Sequence, residues 1–175
     1  MGLRERRFVS SRWGTVLSRT VGGYSVAATV FLLDRAAKVW VLQSLIVGES
    51  VPIFDGILHI TSVRNTGASF GMFRGATEFL TLLSAVAVVL LAFLVYRLSA
   101  WGWGYSLSLG LVLGGAAGNL WDRVAYGAVV DFIDVRAIHY PVFNVADAAL
   151  TVGGVLLAAL FLFGKKGREL WKGEW

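Results

Sequence analysis

The chain has 175 residues, of which 57% are hydrophobic and only 15% are charged. Soluble domains carry about 25% charged residues, so this composition indicates an integral membrane protein, and the length fits a single domain spanning residues 1–175. The net charge of +5 comes largely from the chain ends, where membrane topology explains it, and no nucleic-acid partner is expected. Without cysteine and with only two histidines, the chain lacks the usual metal ligands, so neither a metal nor another cofactor is expected.

Four segments are long and apolar enough to cross a membrane, which requires about 20 apolar residues. In chain order they are residues 21–42, 77–96, 105–121 and 148–163. The sequence therefore predicts an all-α membrane protein with four transmembrane helices. Residues 1–20 form a basic extension that resembles the start of a signal peptide, but no A-x-A-like cleavage site follows before Asp34 and Arg35, so a cytoplasmic extension is the preferred interpretation.

The segment between the first two helices, residues 43–76, does not have a helical pattern. Pro52 and several glycines interrupt it, and residues 57–63 are rich in β-branched side chains. This pattern predicts a small extracytoplasmic β-sheet between helices 1 and 2. In the third helix, Gly110, Gly114 and Gly118 recur at four-residue spacing, which favours close packing against a neighbouring helix rather than a chemical role.

Basic residues set the predicted orientation. They concentrate in residues 1–20, at Arg97 after the second helix, and in the tail, residues 165–175. The positive-inside rule places all three regions, and hence both termini, in the cytoplasm. The two remaining loops then lie outside, and this topology gathers four carboxylates near the outer membrane face. They are Asp34, Asp122, Asp131 and Asp147.

Acidic residues and amides are the groups left to carry chemistry, because no serine or cysteine hydrolase motif and no nucleotide-binding motif is present. Asp131 and Asp147 each stand at the edge of an apolar stretch, where a carboxylate is costly. Two aspartates held a few ångströms apart share a proton, so one can activate water while the other protonates the leaving group. Asn119 and Asn144 lie nearby in sequence and are suited to orienting such a pair.

Each polar group also has a structural interpretation that the sequence leaves open. Asp122 and Arg123 suit an interfacial ion pair, and Asp147 suits the first turn of a helix. Asp34 and Lys38 at i, i+4 suit a pair within one helix. The segment Asn65-Thr66-Gly67 suits a turn.

Five motifs in chain order resemble those of lipoprotein signal peptidase (signal peptidase II), the bacterial intramembrane aspartic protease. They run from about residue 34 to residue 150 and accompany a matching four-span layout. The five are Asp34-Arg35-x-x-Lys38, Asn65-Thr66-Gly67-Ala68-Ser69-Phe70-Gly71, Gly118-Asn119-Leu120-Trp121-Asp122-Arg123, Gly127-x-Val129-Val130-Asp131-Phe132 and Phe143-Asn144-x-Ala146-Asp147.

The resemblance implies that Asp131 and Asp147 are the catalytic dyad. It also implies a reaction, removal of the signal peptide from diacylglyceryl-modified prolipoproteins just before the lipidated cysteine, near the outer leaflet of a bacterial plasma membrane. Other residues match family positions thought to support the dyad or hold substrate, and these are Asn65, Gly67, Asn119, Asp122, Arg123 and Asn144. Asp34 and Lys38 match a family motif whose role is less clear. Expected partners are prolipoproteins and membrane lipids, with the chain itself a monomer.

Three apolar side chains beside the two aspartates, Phe132, Ile133 and Phe143, are expected to accommodate acyl chains. Two competing functions remain. A proton-coupled transporter or channel subunit would also place acids within a membrane, but would spread them along a path across it. A structural membrane subunit would leave the clustered acids unexplained.

Overall fold

The computed structural model describes residues 3–67 and 77–173, with the side chains of the first helix described from residue 13 onward. Four long helices make up most of the fold. They are α1 (Leu3–Ser44), α2 (Thr77–Leu98), α3 (Trp103–Tyr126) and α4 (Val145–Phe163). A short helix, α5 (Lys165–Lys172), follows α4 within the basic tail. Residues 68–71, the second half of the predicted Asn65 motif, lie outside the described residues.

All four predicted helices are present, and each is longer than the hydrophobic pattern suggested. α1 begins at Leu3, so the described part of the basic extension, residues 3–20, continues into the membrane helix instead of forming a separate element. α3 extends past the predicted end at residue 121 to Tyr126 and stops at Gly127, which adopts a left-handed backbone with φ of 67°. Such a φ favours glycine, which has no Cβ to clash.

Among the described residues, three helical segments are long and apolar enough to cross a membrane. They are Trp13–Ser44, Thr77–Trp101 and Val145–Phe163. α3 has 24 residues, which is sufficient length, but glycines, serines and the polar Asn119 and Asp122 lower its hydropathy. This helix packs against α1, α2 and α4, so much of its surface contacts protein.

The glycines of α3 bring neighbouring helices into close contact, as their spacing predicted. A Cβ on Gly114 would lie 2.6 Å from the Ala27 carbonyl oxygen of α1, and one on Gly110 would overlap the Gly23 carbonyl. A Cβ on Gly118 would lie 2.6 Å from a carboxylate oxygen of Asp34. Gly110 and Gly114 therefore permit backbone contact between α1 and α3, and Gly118 leaves room for the Asp34 carboxylate.

Gly114→Ala is expected to destabilise the protein by about 2 kcal/mol, because the added methyl group must push α1 away from α3. Gly154→Ala in α4 is the matched control, since a Cβ at this position would have no neighbouring atom within 4 Å. Alanine there should be neutral or slightly stabilising, because it favours helix more than glycine does. Thermal unfolding of both variants in detergent measures the difference, and equal midpoints would contradict the packing argument.

A three-stranded antiparallel sheet lies at one end of the helices, with strand order β1-β2-β3. Its strands are β1 (Ser50–Phe54), β2 (Leu58–Asn65) and β3 (Val129–Val135). The sheet predicted between helices 1 and 2 was incomplete, because its third strand comes from the segment between α3 and α4. The cross-strand partners Val63↔Asp131 and Asn65↔Val129 bring Asn65 beside Asp131. Val130 and Phe132 pack on Val41 and so anchor the sheet to α1.

Candidate functional site

Asp131 and Asp147 line the same cavity, which has a volume of about 820 Å³. Asp131 lies within β3 with only 2% of its surface exposed. Asp147 lies in the first turn of α4 and is partly exposed. The fold therefore brings both predicted aspartates to one concave surface that is open to small molecules.

Asn144 connects the two aspartates. Its side-chain Nδ2 donates to Asp131 Oδ1 at 2.7 Å, and its Oδ1 accepts from the Asp147 backbone N–H at 2.8 Å. The Asn144 backbone N–H in turn donates to Asp147 Oδ2 at 3.2 Å, which completes a capping box at the start of α4. Asp147 thus stabilises the first turn of α4, as its position suggested, through its Oδ2 atom. Its Oδ1 atom accepts a different hydrogen bond.

Two further amides orient the remaining carboxylate oxygens. Asn119 Nδ2 donates to Asp147 Oδ1 at 2.8 Å, and Asn65 Nδ2 donates to Asp131 Oδ2 at 2.9 Å. The Gly67 backbone N–H donates to Asn65 Oδ1 at 3.0 Å, which fixes the orientation of the Asn65 amide. Segment 65–67 is therefore a turn, as its sequence suggested, and this turn positions an amide on the candidate dyad. Every oxygen of the dyad accepts one amide N–H.

The electrostatic environment favours a proton on Asp131. Burial, and then the negative charge of Asp147, raise the pKa of Asp131 to about 7, against the opposing effect of the hydrogen bonds from Asn65 and Asn144. Near neutral pH this carboxyl therefore holds a proton for a substantial part of the time, as a paired acid–base site requires.

A fully buried ion cluster lies behind the dyad. Lys38 Nζ contacts Asp34 Oδ2 and Asp122 Oδ2, each at 2.8 Å, and all three side chains are 0% exposed. The predicted i, i+4 pair of Asp34 and Lys38 is confirmed. The predicted pairing of Asp122 with Arg123 is wrong, because Asp122 pairs with Lys38 and with Arg35.

The cluster also holds the backbone next to each dyad residue. Asp122 Oδ2 accepts from the Val130 backbone N–H at 3.0 Å, one residue before Asp131. Asp34 Oδ1 accepts from the Ala146 backbone N–H at 3.0 Å, one residue before Asp147. The two carboxylates thus fix the positions of β3 and of the start of α4 relative to α1 and α3.

Arg123 lines the cavity together with the dyad. Its guanidinium donates to the carbonyl oxygens of Asn119 and Gly67, each at 3.4 Å, and to Ser84 Oγ at 3.5 Å. These hydrogen bonds are long, and their acceptors are uncharged. The positive charge of Arg123 therefore faces the cavity without a carboxylate partner at salt-bridge distance among the described residues.

Apolar residues from α2, α3, α4, the sheet and the segment before α4 form much of the remaining cavity wall, and few of them were predicted. They include Val63, Ala87, Ala116, Val129, Val142 and Leu150. Of the three apolar side chains expected around the dyad, only Phe143 lines the cavity. Phe132 and Ile133 pack instead with Val41 and Val130, and in a strand Phe132 points to the face opposite Asp131. Arg64 and Tyr140 also line the cavity and carried no sequence signal that singled them out.

Comparison with known proteins identifies the family. A family model described as signal peptidase (SPase) II matches residues 26–163. A protein of Brevibacillus brevis named lipoprotein signal peptidase is 43% identical over 146 residues, covering 83% of this chain and 98% of that protein. One of the same name from Nostoc punctiforme is 45% identical over 134 residues, covering 75% of this chain and 83% of that protein.

A solved structure described as a bacterial membrane enzyme matches the fold with a TM-score of 0.75 and 30% sequence identity, covering 80% of this chain and 87% of that one. A second, described in the same way, gives 0.73 at 31% identity, with coverage of 81% and 92%. These matches confirm the resemblance found in the five motifs. The chain therefore belongs to the signal peptidase II family and is a membrane protease.

Proposed function

We propose that the protein is an aspartic endopeptidase that removes signal peptides from diacylglyceryl-modified prolipoproteins, cutting immediately before the lipidated cysteine. The observation that carries this proposal is a pair of carboxylates on one cavity, bridged by Asn144 and each held by a further amide. The relatives in Brevibacillus and Nostoc are named lipoprotein signal peptidases, which supports the substrate class.

In the proposed reaction, ionised Asp147 takes a proton from a water molecule, whose oxygen attacks the scissile carbonyl carbon. Protonated Asp131 donates a hydrogen bond to the carbonyl oxygen, where negative charge develops. When the tetrahedral intermediate collapses, the C–N bond breaks and the leaving nitrogen receives a proton from the dyad. The products are a signal peptide with a new carboxylate and a lipidated cysteine with a free amine.

We propose that the amide groups that contact the dyad orient its carboxylates, and that Arg123 balances their negative charge. Asn65, Asn119 and Asn144 hold the carboxylates in a fixed arrangement without adding net charge. Arg123 supplies a positive charge on the same cavity, where the product carboxylate forms. All of these groups come from one chain, which supports a monomeric enzyme.

We further propose that α3 is a fourth membrane span and that both termini lie in the cytoplasm. Basic residues of α5 and Arg97 lie at the opposite end of the helices from the sheet, which supports this orientation. α3 packs among the three apolar helices, so its modest hydropathy is compatible with spanning a membrane. The cavity would then open near the outer leaflet, where a diacylglyceryl group keeps its acyl chains in hydrocarbon beside residues such as Phe143 and Leu150.

A proton-coupled transporter is the second candidate, and the charge distribution argues against it. α2 carries no charged residue between Glu78 in its first turn and Arg97 in its last turn. The buried acids Asp34, Asp122 and Asp131 gather in one cluster and its neighbouring cavity, so no series of acids crosses the bilayer among them.

The test uses the purified protein in liposomes with a lipidated and a non-lipidated form of the same model prolipoprotein. We expect cleavage of the lipidated form and little of the other, with the cut mapped by mass spectrometry to the bond before the cysteine. A proton-flux dye in the same liposomes should report no gradient-driven transport. Efficient cleavage of both forms would overturn the substrate assignment, and flux without cleavage would favour the transporter.

The rate of cleavage is expected to fall as the pH rises through about 7. The pKa of Asp131 is raised to about 7 by burial and by Asp147, and the proposed reaction requires its protonated form. The proton leaves this group above that pH, so the alkaline limb of the kcat/KM profile, which reports the substrate-free enzyme, should have an apparent pKa near 7, a property of the pair as a whole. A rate that stays constant from pH 6 to pH 9 would contradict the role assigned to Asp131.

A further inference from the structure

The Lys38 ammonium makes its polar contacts inside the protein. Its side chain is 0% exposed, and three oxygen atoms lie within 3.0 Å of its Nζ. Two are Asp34 Oδ2 and Asp122 Oδ2, each at 2.8 Å. The third is Asn119 Oδ1 at 3.0 Å, and Asn119 also contacts the dyad. The buried charge is thus connected to the active site through one amide.

The orientation of the Asn119 amide follows from these contacts. Its Oδ1 accepts from Lys38 Nζ and from Asn144 Nδ2, the latter at 3.2 Å. Its Nδ2 therefore points the other way and donates to Asp147 Oδ1 at 2.8 Å. A flipped amide would direct its N–H groups at two donors and its oxygen at a carboxylate, which loses three hydrogen bonds.

We propose that Lys38 is a positioning residue for the catalytic water-activating carboxylate, acting through Asn119. This inference rests on the proposed function. Lys38 does not line the cavity and its side chain is 0% exposed, so a substrate bound in the cavity would not contact it. Its charge-assisted bond fixes the one orientation of Asn119 that places an N–H donor on Asp147. That donor stabilises the ionised form of Asp147, which takes the proton from water.

Other charged groups also exert an electrostatic effect on Asp147. A variant that tests the role of Lys38 should therefore leave the net charge around Asp147 unchanged. Those on the elements packed around it are Asp34 and Lys38 on α1, Arg64 on β2, Asp122 and Arg123 on α3, and Asp131 on β3. The double variant Asp34→Asn/Lys38→Met removes one positive and one negative charge that lie 2.8 Å apart. The amide oxygen introduced at position 34 can still accept from the Ala146 N–H, and Asp122 keeps Arg35 and the Val130 N–H.

At pH values below the pH optimum, kcat of the double variant for the lipidated substrate is expected to be about tenfold lower than that of the wild type. The reason is that the hydrogen bond from Asn119 to the charged Asp147 is weakened. The acidic limb of the kcat profile should move about one pH unit to higher pH, because the dyad loses support for its singly ionised form. KM should change little. Each rate is divided by the folded fraction measured at the same pH, so a merely structural role would leave the shape of the profile unchanged.

Arg35→Gln is the control, because it removes another charged partner of Asp122 and leaves the bond from Lys38 to Asn119 intact. This variant should lose thermal stability and keep the wild-type pH profile. Asn119→Ala removes the donor itself and should move the acidic limb at least as far, which keeps the proposal testable if the double variant fails to fold. An unmoved acidic limb in either the double variant or Asn119→Ala would overturn it. Absence of cleavage by the wild type would instead overturn the proposed function.

Discussion

Asp131→Asn and Asp147→Asn are each expected to fold and to lose cleavage of a lipidated prolipoprotein by a factor of about 10⁴ or more. Asparagine matches the volume of aspartate but cannot exchange the proton that the reaction moves. The described part of the cavity wall contains no other carboxylate, so no other side-chain carboxylate there could replace the missing acid or base. A gel-shift cleavage assay with purified enzyme measures the loss, and thermal unfolding of the same samples reports folding.

Asp134→Asn is the matched control for these variants, because it makes the same chemical change on the same strand, β3. Asp134 accepts from Thr61 Oγ1 at 2.7 Å and from Arg136 Nε at 2.9 Å, and it does not line the cavity. Cleavage by this variant should stay close to that of the wild type. Substantial cleavage by either dyad variant would remove the basis of the two-aspartate mechanism, as would complete inactivity of the control.

The membrane topology predicted from the sequence was sufficient to expect Asp131 and Asp147 near each other. The pattern of residues gave little indication that Asp131 lies in a β-strand. In residues 129–135, apolar and polar side chains do not alternate as clearly as they do in a half-buried strand. Val130 and Phe132 pack on α1, but Ile133, on the other face of the strand, is also partly buried. The sequence identifies Asp131 as an acid beside an apolar run and predicts a loop for this segment. Pairing with β2 then decided its structure, and that pairing joins segments distant in the sequence.

The ion pairs show a second limit, which helix geometry explains. Asp122 and Arg123 are adjacent in sequence, but successive side chains on a helix point about 100° apart and do not face each other. Asp122 instead faces α1, where Arg35 and Lys38 lie, and Arg123 faces the cavity. The pair Asp34 and Lys38 was predictable because four residues is one helical turn. The partner of Asp122 depended on how α1 and α3 pack.

Lys38→Met is expected to have the largest effect on folding, a loss of about 3–5 kcal/mol. The side chains are similar in length, so the main change is the charge. Without the ammonium, the fully buried Asp34 has no positive partner within the described part of the chain, and Asp122 keeps only Arg35 there. An uncompensated buried charge is far more costly than a missing ion pair. The thermal midpoint in detergent should fall by about 10 °C.

Adding Asp34→Asn to Lys38→Met should restore much of this stability, because it removes the charge that the first substitution left unpaired. The two substitutions are therefore expected to be strongly non-additive, with the double variant more stable than Lys38→Met alone. Lys172→Met in the exposed part of α5 makes the same substitution outside any ion pair among the described residues and should change the midpoint little. Additive effects of the two cluster substitutions would mean that Asp34 is not held by Lys38 in solution. The bond from Asp34 to the Ala146 N–H would then have to position Asp147 without help from the ammonium.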